Sequence, residues 1–564
     1  MPPSPEQIIA AAMELVGAES KFKIAAAEIR GNVYRVFENA PRNLVAFFRE
    51  GAAHGDKDFI YYEDEVWSFA QVWDEATRLA DALAKEFNVK RGDRVAIAMR
   101  NYPEWCAAYM AIISLGAVVV PINSWWTGEE LRYGFEDSGA KIAFVDGRRF
   151  ELIAPHKVSL SLKTILVRDE NPASDYAYSE VISKGMAGDL PDSGAKPEDD
   201  YAIYYTSGST GNPKGVVLTH RGALTTLYSW RLITDAITKA NNGVPLHGEN
   251  PGIALGIPLF HVTGSHAIFM MSWLYGRRIA MMYRWSAREA IDLINRYALT
   301  NFVGVPSQSY ELIEAAGDTQ APSLIDIGSG GAKRPPEQVV RLKEKFPNAY
   351  PSSGYGLTET NAAGCVIALE DYRNNPDAAG RPLPPCCDIK IVNDGRDCAQ
   401  GVVGEVWIRT ASNFREYLNR PDDTAKALTD DGWFRSGDLG KFDEQGFLYI
   451  VDRLKDLIIR GGENISCLEV EARAYEHGDV DQAIAFSVPD DALGERVGLV
   501  VHTKEGATIN PAALRDFMAE ALAKFKCPER IWVSPAPLPK LGTEKFDKQT
   551  IRRVALQHPP AWRA

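Results

Sequence analysis

Residues 205–215 read YTSGSTGNPKG. Thr206, Ser207, Ser209 and Thr210 bring hydroxyl donors, Gly208, Gly211 and Gly215 free the main chain, and Lys214 brings a positive charge. Glycines let backbone N–H groups close on an anion, so this composition points to phosphate binding. The spacing is not that of the usual phosphate loop, which needs Gly, four spacers, Gly-Lys and then Ser or Thr. Here Pro213 precedes Lys214 and Gly215 follows it. A second stretch, SSGYGLTET (352–360), offers Tyr355 to stack on a base, Thr358 to donate to phosphate and Glu359 to hold Mg²⁺. A third, DDGWFRSGDLG (430–440), carries Asp438 beside Gly437, suited to accept from ribose hydroxyls. DRLKDLIIRGGENIS (452–466) and LPKLGTEKFDK (538–548) add charged turns beside apolar runs. Each of these alone is explained by a surface loop or an Asp-Gly turn; all five in this order are far more specific.

Elements must hold these residues in place. From about residue 56 short apolar runs alternate with helical periods. VAIAM (95–99), AVVVPI (117–122), KIAFVD (141–146) and KTILV (163–167) read as buried strands, and residues 67–87 as a helix. That alternation predicts layered α/β structure with largely parallel sheets. YAIYY (201–205) is a strand leading straight into the glycine-rich loop. Further strands are expected at 252–260, 301–306 and 324–331. DIKIV and GEVWIR, around 387–409, read as antiparallel strands with turns. Residues 5–30 are expected to form an amphipathic helix with Ile8, Ile9, Met13 and Val16 on one face.

The chain has 564 residues, too many for one core. A net charge of −13 argues against general nucleic-acid binding. Seven cysteines, odd in number and without a C-x-x-C pair, fit reduced thiols in the cytoplasm. No secretory signal opens the sequence, and the apolar run 110–122 is too short to span a bilayer.

With its five motifs, the chain resembles the adenylate-forming enzymes: acyl- and aryl-CoA synthetases, beetle luciferases and peptide-synthetase adenylation domains. The resemblance runs from about residue 45 to 555 and is nearest to AMP-forming acyl-CoA synthetases. It implies a large N-terminal domain (46–452) of layered α/β subdomains with a small β-barrel-like part. It also implies an extension (1–45) and a small mobile α+β C-terminal domain (453–564). It implies ATP, Mg²⁺ and CoA as cofactors and co-substrates. A carboxylate attacks the α-phosphate, giving acyl-AMP and pyrophosphate, and a thiol then takes the acyl group. Carried over by motif, the loop Thr206, Ser207, Gly208, Ser209, Thr210, Gly211 and Lys214 wraps the triphosphate. Thr358 contacts the α-phosphate, and Glu359 with Thr206 holds the metal. Gly330, Gly331 and Ala332 face Tyr355 and Gly356 across adenine. Asp438 and Arg453 bind ribose, and Lys455 is the hinge. Gly461 and Gly462 approach the pantetheine channel, and Lys545 is the catalytic lysine. One position departs from the family: Glu544 stands where a glycine usually precedes that lysine. A carboxylate there is expected either to be tolerated or to pair with Lys545 and weaken it.

PLFHVTGSH (258–266) matches the segment bordering the acyl site, with His261 as a gate. Val262, Ser265, Met270, Phe302, Val305 and Gly330 are the expected walls, mostly apolar or small, with Met271, Met281 and Met282 as further candidates. They suit a hydrophobic carboxylic acid, whether fatty, aryl or alicyclic. The Asp that amino-acid-activating relatives use is absent. The leading reading is an acid–CoA ligase. Alternatives are a ligase loading a carrier protein, a luciferase-like oxygenase, or a nucleotide-binding relative impaired at Glu544. The N-terminal helix and Trp125-Trp126 mark candidate contacts of a homodimer.

Overall fold

The computed structural model describes residues 2–17, 20–206, 212–317, 319–542 and 544–563. Two large sheets share one core. The first has eight strands. Its parallel centre is Val118–Pro121, Arg94–Ala98, Ile142–Asp146 and Lys163–Val167, each within a residue of its sequence expectation. Asp200–Thr206 joins it in parallel beside Val118–Pro121, and Lys214–Thr219 returns antiparallel. The two strands that flank the glycine-rich segment thus pair with each other. The second sheet has nine strands, with Asn301–Gly304, Asp326–Gly330 and Tyr350–Gly356 adjacent and parallel.

Between the sheets runs helix Pro103–Ser114, whose twelve residues are all buried. Its sequence, PEWCAAYMAIIS, is apolar around most of its circumference, as an interior helix must be. Helix Phe69–Lys85 starts on a capping box, Ser68 with Gln71, and buries a stripe of Phe69, Val72, Ala76, Leu79, Ala80 and Leu83.

The expected barrel-like part is a five-stranded antiparallel sheet built from residues 387–453. The C-terminal residues form a separate sheet around the long hairpin Val480–Asp490 and Gly494–Thr503. Helices Cys467–Tyr475, Pro511–Ala519 and Lys548–Leu556 accompany it, with a core of its own.

The N-terminus departs from expectation. The helix covers only Pro5–Leu15, and Ile24–Ile29 with Asn32–Phe37 forms an antiparallel hairpin. Arg30 and Gly31, both at positive φ (+52° and +79°), make the tight turn that strand twist favours. The helix buries Ala11, while Ile9 and Met13 stay 48% and 74% exposed. No helix among the described residues is long and apolar enough to cross a membrane.

Candidate active site

A cavity of 2520 Å³ opens at the C-terminal ends of the parallel strands of the second sheet and continues to the C-terminal unit. Such sheet ends are where open α/β folds leave a crevice. The cavity is lined by Thr206, Lys214, His261, Gly330, Gly331, Ala332 and Tyr355. Gly356, Thr358, Glu359, Asp438, Arg453, Lys455 and Lys545 complete the expected set there. Ser207, Gly208, Ser209, Thr210 and Gly211 lie outside the described residues.

A chain of hydrogen bonds crosses the floor. Tyr355 Oη donates to Asp438 Oδ2 at 2.8 Å, and Arg453 Nε pairs with Asp438 Oδ1 at 3.1 Å. Asp438 and Arg453 are direct cross-strand partners of the hairpin Phe434–Phe442 and Leu448–Arg453, which explains how residues fifteen apart meet. Burial raises the Asp438 carboxyl, and Arg453 opposes that rise. Glu359 opens beside it on the turn Thr358–Thr360. Its Oε1 accepts from Tyr417 Oη at 2.8 Å. Burial raises the Glu359 carboxyl as well. Its Oε2 has no donor among the described residues, and no group of three or more His, Cys, Asp or Glu gathers there. That donor set fits Mg²⁺, which takes one or two carboxylates and completes its shell with phosphate oxygens and water. Lys214 is not free: Asp423 holds its Nζ at 2.9 Å, above the Tyr417 ring.

Lys545 reaches the cavity on the turn between Leu541 and Phe546. The carbonyl of Lys545 accepts from Leu541 N at 2.7 Å. Its side chain lies over Gly331, where an added Cβ would stand 3.2 Å from Nζ; Gly331 also holds φ +76°. Both facts require glycine there. Nζ has no hydrogen-bonded or charged partner among the described residues. Burial, with Arg453 next, pushes its pKa down to about 8, against the pull of Asp438. The unpaired ammonium therefore points at space in which negative charge has to be supplied.

Glu544 does not pair with Lys545. Its carboxylate approaches Lys540 Nζ at 3.7 Å, and its carbonyl accepts from Ser307 Oγ at 2.9 Å. Glu544 holds φ +62°, the left-handed region that glycine enters freely, so the expected weakening of Lys545 gives way to a backbone account of the usual glycine. The same loop docks by an ion pair of Lys540 with Glu311, which also accepts from Trp285 Nε1 at 2.5 Å. Trp125 is the third contact: a Cβ added at Gly542 would fall 2.1 Å from its ring, and the Arg100 guanidinium stacks 3.2 Å from the ring centroid. Trp126 packs on Tyr205. Both tryptophans thus make contacts within the chain, and Trp125 stays 41% exposed. Single-sequence reading missed Glu311, Ser307, Lys540 and Arg100. Only Glu311 and Lys540 carry a signal, as opposite charges, and nothing in the sequence brings them together.

The two histidines divide. His266 is satisfied, Nε2 with Tyr201 Oη at 2.7 Å and Nδ1 with Ser265 Oγ at 2.9 Å. His261 lines the cavity, and its buried Nε2 has no partner among the described residues. Burial, helped by Lys545, pushes the His261 pKa down to about 3, so the ring is neutral.

Of the expected acyl walls, Val262, Val305 and Gly330 line the cavity, while Ser265, Met270 and Phe302 do not. Two periodicities account for the difference. Residues Thr263–Met270 form a π-helix, whose wider turn moves the facing position from Met270 to Met271. Strand Asn301–Gly304 presents Val303 to the cavity and turns Phe302 to the other face, against Trp285. Met281 and Met282 are core. Gly461 and Gly462 are also off the cavity. They form the turn of the hairpin Ile458–Arg460 and Glu463–Ile465, at φ +59° and +92°.

Comparison with known proteins follows this geometry. The model of the AMP-binding enzyme family matches residues 47–418, and that of the AMP-binding enzyme C-terminal domain matches residues 469–545. A 2-succinylbenzoate–CoA ligase of Geobacillus kaustophilus is 33% identical over 493 residues, 87% of this chain and 92% of its own. A long-chain-fatty-acid–CoA ligase of Mycobacterium tuberculosis is 29% identical over 519 residues, 91% and 98% of the two chains. The solved o-succinylbenzoate CoA synthetase of Bacillus subtilis, in complex with its acyl-adenylate intermediate, superposes with a TM-score of 0.75. It is 28% identical, covering 90% of this chain and 97% of its own. The same enzyme has been solved with ATP and magnesium ion.

Proposed function

Since the chain belongs to the AMP-binding enzyme family, we propose that its cavity carries out ATP-dependent ligation of a carboxylic acid to CoA, with Lys545 as the catalytic lysine. The acid carboxylate attacks the α-phosphorus of ATP, the bond to the β-phosphate oxygen breaks, and pyrophosphate leaves. The CoA thiol then attacks the acyl carbon, gives up its proton, and releases AMP. The observation that carries this reading is the unpaired Lys545 ammonium inside a cavity whose floor is the Tyr355–Asp438–Arg453 chain.

The first step brings an anion to a polyanion. Lys545 offsets that repulsion: at about 4 Å and an effective dielectric near 20, one ammonium contributes roughly 4 kcal/mol. Tyr355 offers its ring to adenine, and Asp438 and Arg453 offer an acceptor and a donor to the ribose. Glu359 and Thr206 would hold Mg²⁺, which when bound neutralises phosphate charge. His261, neutral and without a partner, borders the reacting carboxylate as a hydrogen-bonding and steric group, not as a cation. Val262, Met271, Val303 and Val305 give the acid an apolar wall.

The second step needs the thiol where Lys545 now stands. Rotation of the segment 453–564 about Lys455 would withdraw the lysine loop and bring the Gly461–Gly462 turn inward. Support comes from the exposed turn at Lys455 and from the small polar dock of the lysine loop, Lys540 on Glu311 and the Glu544 carbonyl on Ser307. Seven unbridged cysteines, all but Cys398 buried, suit a cytoplasmic enzyme. The test is release of AMP and pyrophosphate over a panel of acids with and without CoA. Acid-dependent release that yields a CoA thioester is expected. Acid-dependent adenylation with a phosphopantetheinyl protein but not CoA as acceptor would overturn the CoA assignment.

A further inference from the structure

Arg277 stands between helix Met271–Tyr275 and strand Arg278–Met281 and lines the same cavity. One side of its guanidinium is fixed. Nε donates to Ser272 Oγ at 2.8 Å, and Nη2 donates to the carbonyls of Ala267 at 2.9 Å and Ile268 at 3.3 Å. Those carbonyls lie where the π-helix Thr263–Met270 passes into helix Met271–Tyr275, and they are neutral acceptors that leave the guanidinium charge unbalanced. This seat occupies Nε and Nη2 only. The two N–H donors of Nη1 have no acceptor among the described residues, and no acidic side chain there pairs with the guanidinium. Burial pushes the Arg277 pKa down to about 10, against the pull of Asp326, which lines the same cavity, and of Tyr275. Asp326 is itself engaged, accepting from Ser352 Oγ at 2.7 Å and Asn301 Nδ2 at 3.4 Å. A half-buried charge held only by a hydroxyl and two carbonyls keeps its capacity for an anion, and a bidentate carboxylate is the partner that guanidinium geometry matches.

The position of Arg277 gives the ligand its length. His261 borders the reacting end of the acid, and the Ala267 carbonyl that holds Arg277 lies six residues on. Val262, Ala267, Met271 and Ile257 line the space between.

We propose that Arg277 is a specificity-determining residue of the acyl site that takes a second carboxylate at the far end of the acid. The preferred substrates are then dicarboxylic acids with an apolar middle. This assignment rests on the acid–CoA ligase reading of the cavity. The test measures kcat/KM for AMP release with straight-chain monocarboxylic acids and α,ω-dicarboxylic acids of matched lengths. It compares the natural protein with Arg277→Met and Arg277→Lys. The expected result is a preference of at least about tenfold for one dicarboxylic acid, lost by about thirtyfold in Arg277→Met chiefly through KM. Monocarboxylic acids are expected to be used as before, which also shows that the variant folds, and Arg277→Lys retains part of the preference. Equal or better use of the monocarboxylic acids by the natural protein overturns the proposal. So does an equal loss on both classes in Arg277→Met, which would leave Arg277 as a helix cap. Absence of AMP release with every acid, despite ATP binding, would instead remove the ligase reading beneath it.

Discussion

Glu544 sits at φ +62°, where a side chain costs roughly 1–2 kcal/mol relative to ordinary backbone. The strain is held by the Glu544 N–H to Leu541 carbonyl bond at 2.9 Å and by the Ser307 contact. Glu544→Gly should therefore raise unfolding stability by no more than about 1 kcal/mol, because glycine's looser unfolded chain offsets the relief. Adenylation should change by less than about threefold, since the carboxylate faces Lys540 rather than Lys545. Denaturant unfolding and pyrophosphate release check both. Lys545→Ala is expected to slow adenylation by about a thousandfold. It should leave thioester formation from supplied acyl-AMP within a few-fold; a small loss of adenylation would remove Lys545 from its role. The depressed Lys545 pKa has a definite sign. A lysine lowered to about 8 is the ammonium below that pH and loses its charge as pH rises through it. The kcat/KM of adenylation for ATP, which reports the free enzyme, should thus fall on an alkaline limb near pH 8, and Lys545→Arg, permanently charged, should abolish that limb at whatever activity it keeps. Neutral His261 contributes no limb between pH 5 and 7.

At the scale of elements, the lysine loop is set by its dock on the N-terminal lobe. Lys540 with Glu311, Ser307 with the Glu544 carbonyl, and Trp125 against Gly542 hold it, and Lys545 lies over Gly331. The ion pair is partly exposed, with side chains 19% and 34% accessible, so its worth is at most about 1 kcal/mol. Glu311→Gln should then slow adenylation by about fivefold or less while leaving thioester formation from acyl-AMP unchanged. A simple folding defect would lower both half-reactions together, so assaying them separately distinguishes the two.

The whole molecule joins two cores across a short exposed turn at Leu454–Asp456, where the Lys455 N–H has no acceptor among the described residues. Proline there removes no hydrogen bond but fixes φ and restricts Leu454. If rotation about this turn is needed, Lys455→Pro should slow thioester formation by about tenfold or more while adenylation changes little. Stopped-flow assay of each half-reaction measures the ratio; equal effects on both would argue against a hinge.

The amino-acid sequence by itself determined the phosphate-binding motif, the order of the parallel strands' apolar runs and the kind of chemistry. Those depend on local composition: glycines, hydroxyls and a lysine after a buried strand are legible because they are contiguous. It also marked Tyr355, Asp438, Arg453 and Lys545, whose motifs are short and separately recognisable. Tertiary structure decided the rest. The N-terminal hairpin was hidden because Ala-rich residues 24–29 suit a helix locally and become a strand only through pairing with residues 32–37. A π-turn moved the acyl wall by one residue, and strand parity exchanged Phe302 for Val303. Glu544 read as a threat to Lys545 because adjacency in sequence says nothing of direction; the left-handed turn sends the two side chains to different partners. Arg277, one of many arginines in the sequence, became a candidate site only when folding left one of its nitrogens at the cavity with no partner among the described residues.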